Sequence, residues 1–214
     1  MLASEAVGWN NERYRENRTA YVVRELRGVH LREARYGEPL DTRTCIAESR
    51  RGLVLRRETW VADVMRTTVD WAHIGPTGAP QRPGPEVVEA FAVTPAEPVH
   101  LPGFTPREPV ALPDFEVVPW FTEMDPIGHT NHPRYVDWAD EALSRHLAAT
   151  GVDPLRLVPV AESFRFRAPT HAAVPIQVRL RHIGDHQGTT VHDVEFVVGD
   201  TSVCQGRIWR TLAV

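Results

Sequence analysis

The stretch from Met124 to Trp138 carries the residues best suited to chemistry. Its members of interest stand in the order Asp125, Gly128, His129, Asn131 and Tyr135. A carboxylate can act as a general base on water or attack a carbonyl itself, while an imidazole and a carboxamide can hold the reacting groups in place. We therefore take Asp125, His129 and Asn131 as candidate catalytic residues.

A helix is predicted directly after these residues. Pro133 suits a first helical position because proline has no N–H to leave unpaired there, and Gly151 marks the end. Apolar residues recur in between at helical spacing: Tyr135, Trp138, Ala139, Ala142, Leu143 and Leu147. A helix N-terminus offers unpaired N–H groups and a partial positive charge. We expect the backbone from Gly128 to His132 to donate hydrogen bonds to a developing oxyanion.

A purely structural interpretation of the same residues stays open. An aspartate before a glycine often shapes a turn, asparagine or histidine often caps a helix, and tyrosine at helical spacing often packs in a core. A metal site made from Asp125, His129 and His132 is a further alternative, but no other ligand cluster accompanies them, and we predict no metal. Taken together, the order of the residues favours a site.

The composition describes a globular protein that is not adapted to nucleic acid. The chain has 214 residues, a net charge of −4 and 42% hydrophobic residues, enough for a sizeable core in one or two domains. All 24 basic residues are arginine, and no basic block stands apart from acidic neighbours. Neither a signal-peptide pattern nor an apolar run of the ~20 residues that span a bilayer is found. We expect a cytoplasmic protein with buried free thiols at Cys45 and Cys204, and no nucleic-acid or membrane partner.

The chain divides into two halves of similar plan. Residues 3–18 predict a short helix, and strand patterns follow over 21–26, 29–31, 40–48, 53–61 and 65–74. In the second half a strand over 115–121 precedes the helix, and strand patterns follow over 158–167, 176–183, 189–198 and 201–212. Helices followed by several long strands predict an α+β protein, with an antiparallel sheet packed on each helix.

We place the first repeat at residues 1–75 and the second at 114–214. Residues 76–113 are rich in proline, so we predict a linker that runs over the surface instead of joining a sheet, with one short helix from Pro85. The first repeat reaches its helix within a few residues of Met1, so its opening strand is predicted to be missing. Residues 8–14 echo the site weakly, without the aspartate or the histidine, so we expect chemistry in the second repeat alone.

The order from Asp125 to Tyr135 resembles the D-x-x-G-H-x-N-x-x-x-Y signature of hotdog-fold thioesterases, including 4-hydroxybenzoyl-CoA thioesterase-like proteins. The stretches Tyr36-Gly37-Glu38-Pro39 and Gln81 to Val87 resemble, in the same order, elements of the double-hotdog acyl-ACP thioesterases. The resemblance implies a double hotdog, which is two repeats of a central helix wrapped by a curved antiparallel sheet. It also implies hydrolysis of an acyl thioester carried on acyl carrier protein or coenzyme A.

The resemblance assigns roles to the residues of the motif. Asp125 would be the base or nucleophile, and His129 and Asn131 would orient the reacting groups. Substrate-binding roles are expected for five residues: Gly128, His132, Tyr135, Arg134 and Arg167. No cofactor is implied, because the phosphopantetheine arm belongs to the substrate, and whether the chain forms a homodimer stays open.

The chain departs from the family at two positions. The plant members carry an asparagine two residues after the catalytic aspartate, where this chain has Ile127, and an acid on the strand after the helix, near Ala168 and Pro169. The candidates to replace that acid are Glu33, Glu162 and His171. A hotdog dehydratase, hydratase or cyclase, or a non-catalytic acyl-binding protein, is therefore the alternative function.

Overall fold

The computed structural model describes residues 4–213, and its contacts divide the chain into a first unit, Met1–His100, and a second unit, Leu101–Val214. The first unit contains two short helices, α1 (Asn11–Glu16) and α2 (Pro85–Ala90). Its four strands are β1 (Ala20–His30), β2 (Thr42–Arg50), β3 (Val54–Val61) and β4 (Met65–Ile74). They form an antiparallel sheet in the order β2-β3-β4-β1.

The first helix is shorter than predicted from residues 3–18. Gly8 adopts a left-handed φ of 79° and ends a 3-10 turn at Glu5–Val7. Asn10 is then extended, and its side-chain oxygen accepts a hydrogen bond from the Arg13 N–H at 2.9 Å, so it caps a helix of only six residues. Within residues 4–10, which the structure describes, no strand precedes this helix.

Residues in or next to the two short helices contribute to the core of the first unit. Trp9, just before α1, lies in one buried cluster with Val87 of α2 and Phe91, the residue after α2. The strands supply Ile46 and Leu55 to the same cluster. The helix predicted within the proline-rich segment is therefore confirmed, and it packs on the sheet of the first unit as part of its core.

The second unit contains one long helix, α3 (Pro133–Ala149), which begins at the predicted proline. Its strands are β5 (Thr105–Ala111), β6 (Phe115–Val117), β7 (Leu157–Phe166), β8 (Ile176–His186), β9 (Thr189–Val198) and β10 (Thr201–Leu212). The sheet is antiparallel in the order β7-β10-β9-β8-β5, and β6 also pairs with β8.

Strand β5 corrects the prediction that residues 76–113 stay outside any sheet. Pro106 pairs opposite Gly184 of β8, and the register shifts between Pro106 and Val110. Proline cannot donate to a ladder, but an edge position with a bulge tolerates it. The proline-rich sequence therefore led to the prediction of a linker where the structure has an edge strand. The strand predicted over 115–121 is likewise shorter, because Phe121–Glu123 forms a 3-10 turn.

A buried ion cluster joins α3 to the sheet. Arg210 of β10 donates from Nε and Nη2 to the two carboxylate oxygens of Asp140 on α3, at 2.7 and 3.1 Å. Its Nη1 also lies 3.3 Å from Oε2 of Glu162, and the arginine side chain is fully buried. Because every charge in the cluster has an opposite partner, the helix is held in one orientation on its sheet.

The two cysteines are free thiols, as predicted. Cys204 is buried, and burial raises the pKa of its thiol well above the usual value. Cys45 is only partly buried, so the prediction of burial is wrong for this residue. Among the helices of residues 4–213, none is long and apolar enough to cross a membrane.

Candidate active site

The candidate residues meet in a tight turn before α3, which we call the site turn (Met124–His132). The N–H of Asp125 donates to the carbonyl of His129 at 2.7 Å, and the N–H of Gly128 donates to the carbonyl of Asp125 at 3.0 Å. Gly128 has a φ of 80°, a left-handed conformation that costs glycine little, and an added Cβ would meet open space. Glycine is needed there for the shape of the backbone and not for close packing.

One of the two carboxylate oxygens of Asp125 accepts hydrogen bonds from the backbone of the turn itself. Its Oδ1 accepts the backbone N–H of Ile127 at 2.9 Å and that of His129 at 3.0 Å. Its Oδ2 accepts no hydrogen bond from the residues that the structure describes. The turn therefore holds the carboxylate in one orientation and leaves one oxygen for another partner.

His129 and Asn131 carry polar side chains in the same turn as this carboxylate. Burial lowers the pKa of His129, the nearby Asp125 carboxylate partly opposes that shift, and His171 lowers the pKa further. The imidazole is therefore neutral at neutral pH. Neither the His129 ring nor the exposed Asn131 carboxamide makes a hydrogen bond to another residue within the described part of the chain. Both side chains can thus serve a bound molecule.

The expectation of oxyanion donors along the backbone is wrong for four amides of the site turn. Besides Gly128, the N–H of His129 donates to Oδ1 of Asp125, that of Thr130 to the carbonyl of Thr170 at 2.8 Å, and that of Asn131 to the carbonyl of Glu123 at 2.8 Å. The fold itself uses these groups. The Asn131 carboxamide and the His129 ring carry further N–H groups that can donate to an oxyanion.

Tyr135, predicted to bind substrate, lies in the core. It is 3% exposed, and its hydroxyl lies 2.7 Å from Oγ1 of Thr170, which in turn donates to Oγ1 of Thr130 at 2.7 Å. Burial raises its pKa to about 12, so the hydroxyl keeps its proton. These bonds connect α3, the site turn and the segment after β7. Tyr135 therefore helps to hold the site turn in place from within the core.

The other expected binding residues are His132, which ends the site turn, Arg134 on α3 and Arg167 just after β7. His132 packs its ring against Phe166 at a centroid distance of 6.1 Å, and burial lowers its pKa to about 4. Arg134 donates to Asp137 at 3.0 Å, and Arg167 donates to Gln205 at 2.6 Å. Both arginine bonds are solvent-exposed, which suits residues that exchange one partner for another.

Among the three candidates for the missing acid, the structure places His171 in contact with the site turn. Glu162 is buried with Arg210, and Glu33 lies in the first unit. His171 lies against the turn, with its Nδ1 3.0 Å from the carbonyl oxygen of Gly128 and its ring centroid 5.4 Å from that of His129. Sequence alone could not choose among the three, because strand register decides the matter.

No set of three or more His, Cys, Asp or Glu residues in positions 4–213 is arranged to hold a metal ion. The site turn contributes one carboxylate and two histidines, but the carboxylate already accepts two backbone N–H groups. The side chains of Asp125, His129 and Asn131 can supply acid–base and hydrogen-bonding groups.

A central helix on an antiparallel sheet, with a polar turn at the helix start, defines the second unit as a hotdog domain. Residues 119–209 match the family model described as the thioesterase-like superfamily. This match contains the whole site turn and α3. Among proteins of curated function, none matches the sequence.

Solved structures match almost the whole chain at low identity. A Lactobacillus plantarum protein assigned as an oleoyl thioesterase has a TM-score of 0.80 and 19% identity, with coverage of 99% of this chain and 83% of its own. An acyl-ACP thioesterase from Bacteroides thetaiotaomicron has a TM-score of 0.70 and 16% identity, with coverage of 97% of this chain and 83% of its own. The 12:0-ACP thioesterase from Umbellularia californica has a TM-score of 0.73 and 15% identity, with coverage of 98% of this chain and 81% of its own. These matches confirm the double-hotdog fold, and the family-model match over residues 119–209 confirms the resemblance to hotdog-fold thioesterases.

Proposed function

We propose that the protein hydrolyses an acyl thioester, carried on acyl carrier protein or coenzyme A, to the free acid and the carrier thiol. The observation that carries this proposal is the Asp125 carboxylate, fixed by its own turn through one oxygen and unpaired at the other among the described residues. A neutral His129 lies near it, and Asn131 carries its carboxamide in the same turn. The stretch also lies within the thioesterase-like match.

Oδ2 of Asp125 takes a proton from water while the water oxygen bonds to the thioester carbonyl carbon. Side-chain N–H groups of Asn131 and His129 donate to the resulting oxyanion. Collapse of this intermediate breaks the C–S bond, and Asp125 returns the proton to the leaving thiolate. Direct attack by Asp125, followed by hydrolysis of the acyl-aspartyl anhydride, gives the same products.

The test is release of free thiol, followed with a thiol reagent, over short, long and aromatic acyl groups on both carriers. We expect release above the uncatalysed rate with at least one acyl group. A dehydratase, hydratase or cyclase would change the acyl chain and leave the thioester intact. A binding protein would retain the intact thioester. Either result would replace hydrolysis with the corresponding alternative.

We further propose that an acidic carrier protein docks on Arg134, Arg165 and Arg167. Exposed arginines of this kind pair well with carboxylates and with the phosphate of the carrier arm. Reversing the three charges to glutamate should lower kcat/KM for acyl-ACP by about tenfold or more, because electrostatic steering is lost. An acyl N-acetylcysteamine thioester, which is uncharged, should be turned over as before.

The matched control for this docking surface is Arg145→Glu, an exposed arginine further along α3 that pairs with Glu141. It should leave turnover of acyl-ACP unchanged. Equal losses for Arg145→Glu and for the triple reversal would indicate a general charge effect. Unchanged turnover of acyl-ACP in the triple variant would remove these arginines from the proposal.

A further inference from the structure

His171 is fixed against the site turn by the segment that precedes it. Thr170 is buried, its carbonyl accepts the N–H of Thr130 at 2.8 Å, and its hydroxyl donates to Thr130 at 2.7 Å. On the other side of His171, the N–H of Ala173 donates to the carbonyl of Pro119 at 2.8 Å. The exposed histidine therefore stands on a backbone that is held on both sides, by Thr130 of the site turn and by Pro119 in the segment before the turn.

The bond between His171 and the turn has a defined direction. Its Nδ1 lies 3.0 Å from the carbonyl oxygen of Gly128. A carbonyl oxygen can only accept, so Nδ1 carries the hydrogen and donates it. The neutral ring with its hydrogen on Nδ1 and the protonated ring can both make this bond. The contact therefore does not depend on the charge of the imidazole.

The Gly128 carbonyl belongs to the same peptide group as the N–H of His129. That N–H donates to Oδ1 of Asp125 at 3.0 Å. One peptide group thus accepts from His171 at its oxygen and donates to Asp125 at its nitrogen. Hydrogen bonds in such a chain polarise and strengthen one another. The orientation of the Asp125 carboxylate is therefore coupled to the presence of His171.

We propose that His171 is a positioning residue for the reaction of Asp125, acting through the peptide group between Gly128 and His129. This inference rests on the proposed thioester hydrolysis. The charged and titratable groups around the contact are Asp125 and His129 of the site turn, with His129 5.4 Å away between ring centroids. His171 compensates in position, and not as a base, for the acid that is absent near Ala168 and Pro169.

Three substitutions of His171 separate positioning from proton transfer. The amide nitrogen of asparagine falls near the place of Nδ1 and can still donate to the Gly128 carbonyl, whereas that of glutamine falls near the place of Nε2. We expect His171→Asn to keep kcat within about threefold. His171→Gln and His171→Ala should lower kcat by about tenfold, with KM changed by less than about twofold, because the effect falls on the transition state.

The shape of the pH profile of kcat should be the same for His171→Asn as for the unmodified protein. An asparagine variant as slow as the alanine variant would overturn positioning through Nδ1. An alanine variant as fast as the unmodified protein would overturn any role in turnover. Loss of folded protein alone would lower kcat in all variants in proportion to the unfolded fraction and would give no rescue by asparagine.

A second measurement does not need activity. Amide hydrogen exchange of the His129 N–H, followed by NMR, reports the bond to Asp125 directly. We expect exchange to be about tenfold faster in His171→Ala, restored in His171→Asn, and unchanged in the control His186→Gln, which alters an exposed histidine elsewhere in the second unit. Unchanged exchange in His171→Ala overturns the inference, whereas absence of thiol release in the unmodified protein overturns only the proposed function.

Discussion

The two units use similar antiparallel sheets but treat the start of their helices differently. In the first unit the Asn10 side chain caps α1 by accepting a hydrogen bond of 2.9 Å from the Arg13 N–H. In the second unit no side chain caps α3, and the polar residues before it belong to the site turn. The comparison teaches that a polar residue near a helix start is available for chemistry only when the fold has not already used it.

Their buried ionisable groups differ as well. The second unit buries His192, whose pKa falls to about 3, first because of burial and then because of His182 and His146. The first unit buries Glu58, whose pKa is raised, first because of burial. One group resists gaining a proton and the other resists losing one, so these two groups should contribute to the pH dependence of stability with opposite signs.

The largest expected effect separates the two units by catalysis. Asp125→Asn keeps an oxygen that can accept both N–H groups of the site turn but removes the charge that takes a proton. We expect kcat for the best thioester to fall by about 10²–10⁴-fold, the usual contribution of general-base catalysis. His129→Ala should cost less if it only orients, and Asn11→Ala in the first unit should leave kcat unchanged.

Thiol release by Asp125→Asn within a factor of about three of the unmodified protein, only ~0.7 kcal/mol of barrier, would contradict this prediction. A large loss in Asn11→Ala without loss of folded protein would contradict the expectation that the first repeat has no part in the chemistry.

The second effect concerns the ion pairs that hold each sheet. Arg210→Met leaves Asp140 and Glu162 buried without their cation, and we expect about 3–5 kcal/mol lower free energy of unfolding in urea. In the first unit, Arg56 pairs with Asp70 at 2.9 Å but stays partly exposed, so Arg56→Met should cost less than half as much. The exposed control Arg145→Met, which removes the pair with Glu141 on the surface of α3, should cost about 0–1 kcal/mol. Equal costs for Arg56 and Arg210 would remove this difference between the units.

Local periodicity predicted much of the fold. The strand patterns over 65–74, 189–198 and 201–212 coincide with β4, β9 and β10, and Pro133 begins α3 as expected. The pattern failed where proline masked β5, whose pairing with β8 depends on an edge position that the sequence does not show. It also failed at α1, because Gly8 and Asn10 interrupt an apparently continuous helical pattern.

The sequence motif indicated which residues lie in the site turn, but it did not indicate their hydrogen bonds. The motif named the residues of the site turn, yet which N–H groups remain free depends on Thr170 and Glu123, which lie outside the motif. Arg210 gave no signal of burial because its partner Asp140 is 70 residues away. Local pattern reports spacing and burial, whereas the allocation of polar partners is decided by tertiary structure.

The third effect is acid sensitivity of the second unit. His192 is 4% exposed and faces His182 and Asp185 of β8, His146 of α3 and Arg210 of β10. The pKa of His192 is lowered from its ordinary value of 6.5 to about 3. Between these two pH values the imidazole binds a proton in the unfolded chain but not in the folded chain. The contribution of His192 to stability is therefore complete above pH 6.5 and falls with decreasing pH, by at most ~1.4 kcal/mol per pH unit for one proton.

His192→Phe keeps a flat ring against His182 and removes this titration. Urea unfolding between pH 4 and 7 should therefore show a shallower loss of stability on acidification than in the unmodified protein. The exposed control His186→Gln should keep the original slope. A slope that is the same in His192→Phe and in the unmodified protein would show that His192 gains its proton equally in the folded and unfolded states.

The smallest expected effect has the opposite sign and belongs to the first unit. Glu58 is 1% exposed, and its Oε2 accepts the hydroxyl of Thr68 at 2.8 Å, which itself accepts the Val99 N–H at 2.7 Å. Burial raises the pKa of Glu58 above 4.5, while Arg56, Arg66 and Arg27 partly oppose the shift. The folded state therefore holds the proton to higher pH than the unfolded state. This contribution is complete below the unfolded pKa and is lost as pH rises through the folded pKa.

Glu58→Gln is neutral at every pH and keeps an oxygen for Thr68. The variant should gain stability over the unmodified protein as pH rises from 4 to 8, by at most ~1.4 kcal/mol for each unit by which the pKa is raised. The control Glu89→Gln changes an exposed glutamate on α2 and should follow the unmodified protein. Parallel stability curves for Glu58→Gln and the unmodified protein would mean that Glu58 ionises alike when folded and unfolded. Of the two opposite contributions to the pH dependence of stability, only that of His192 would then remain.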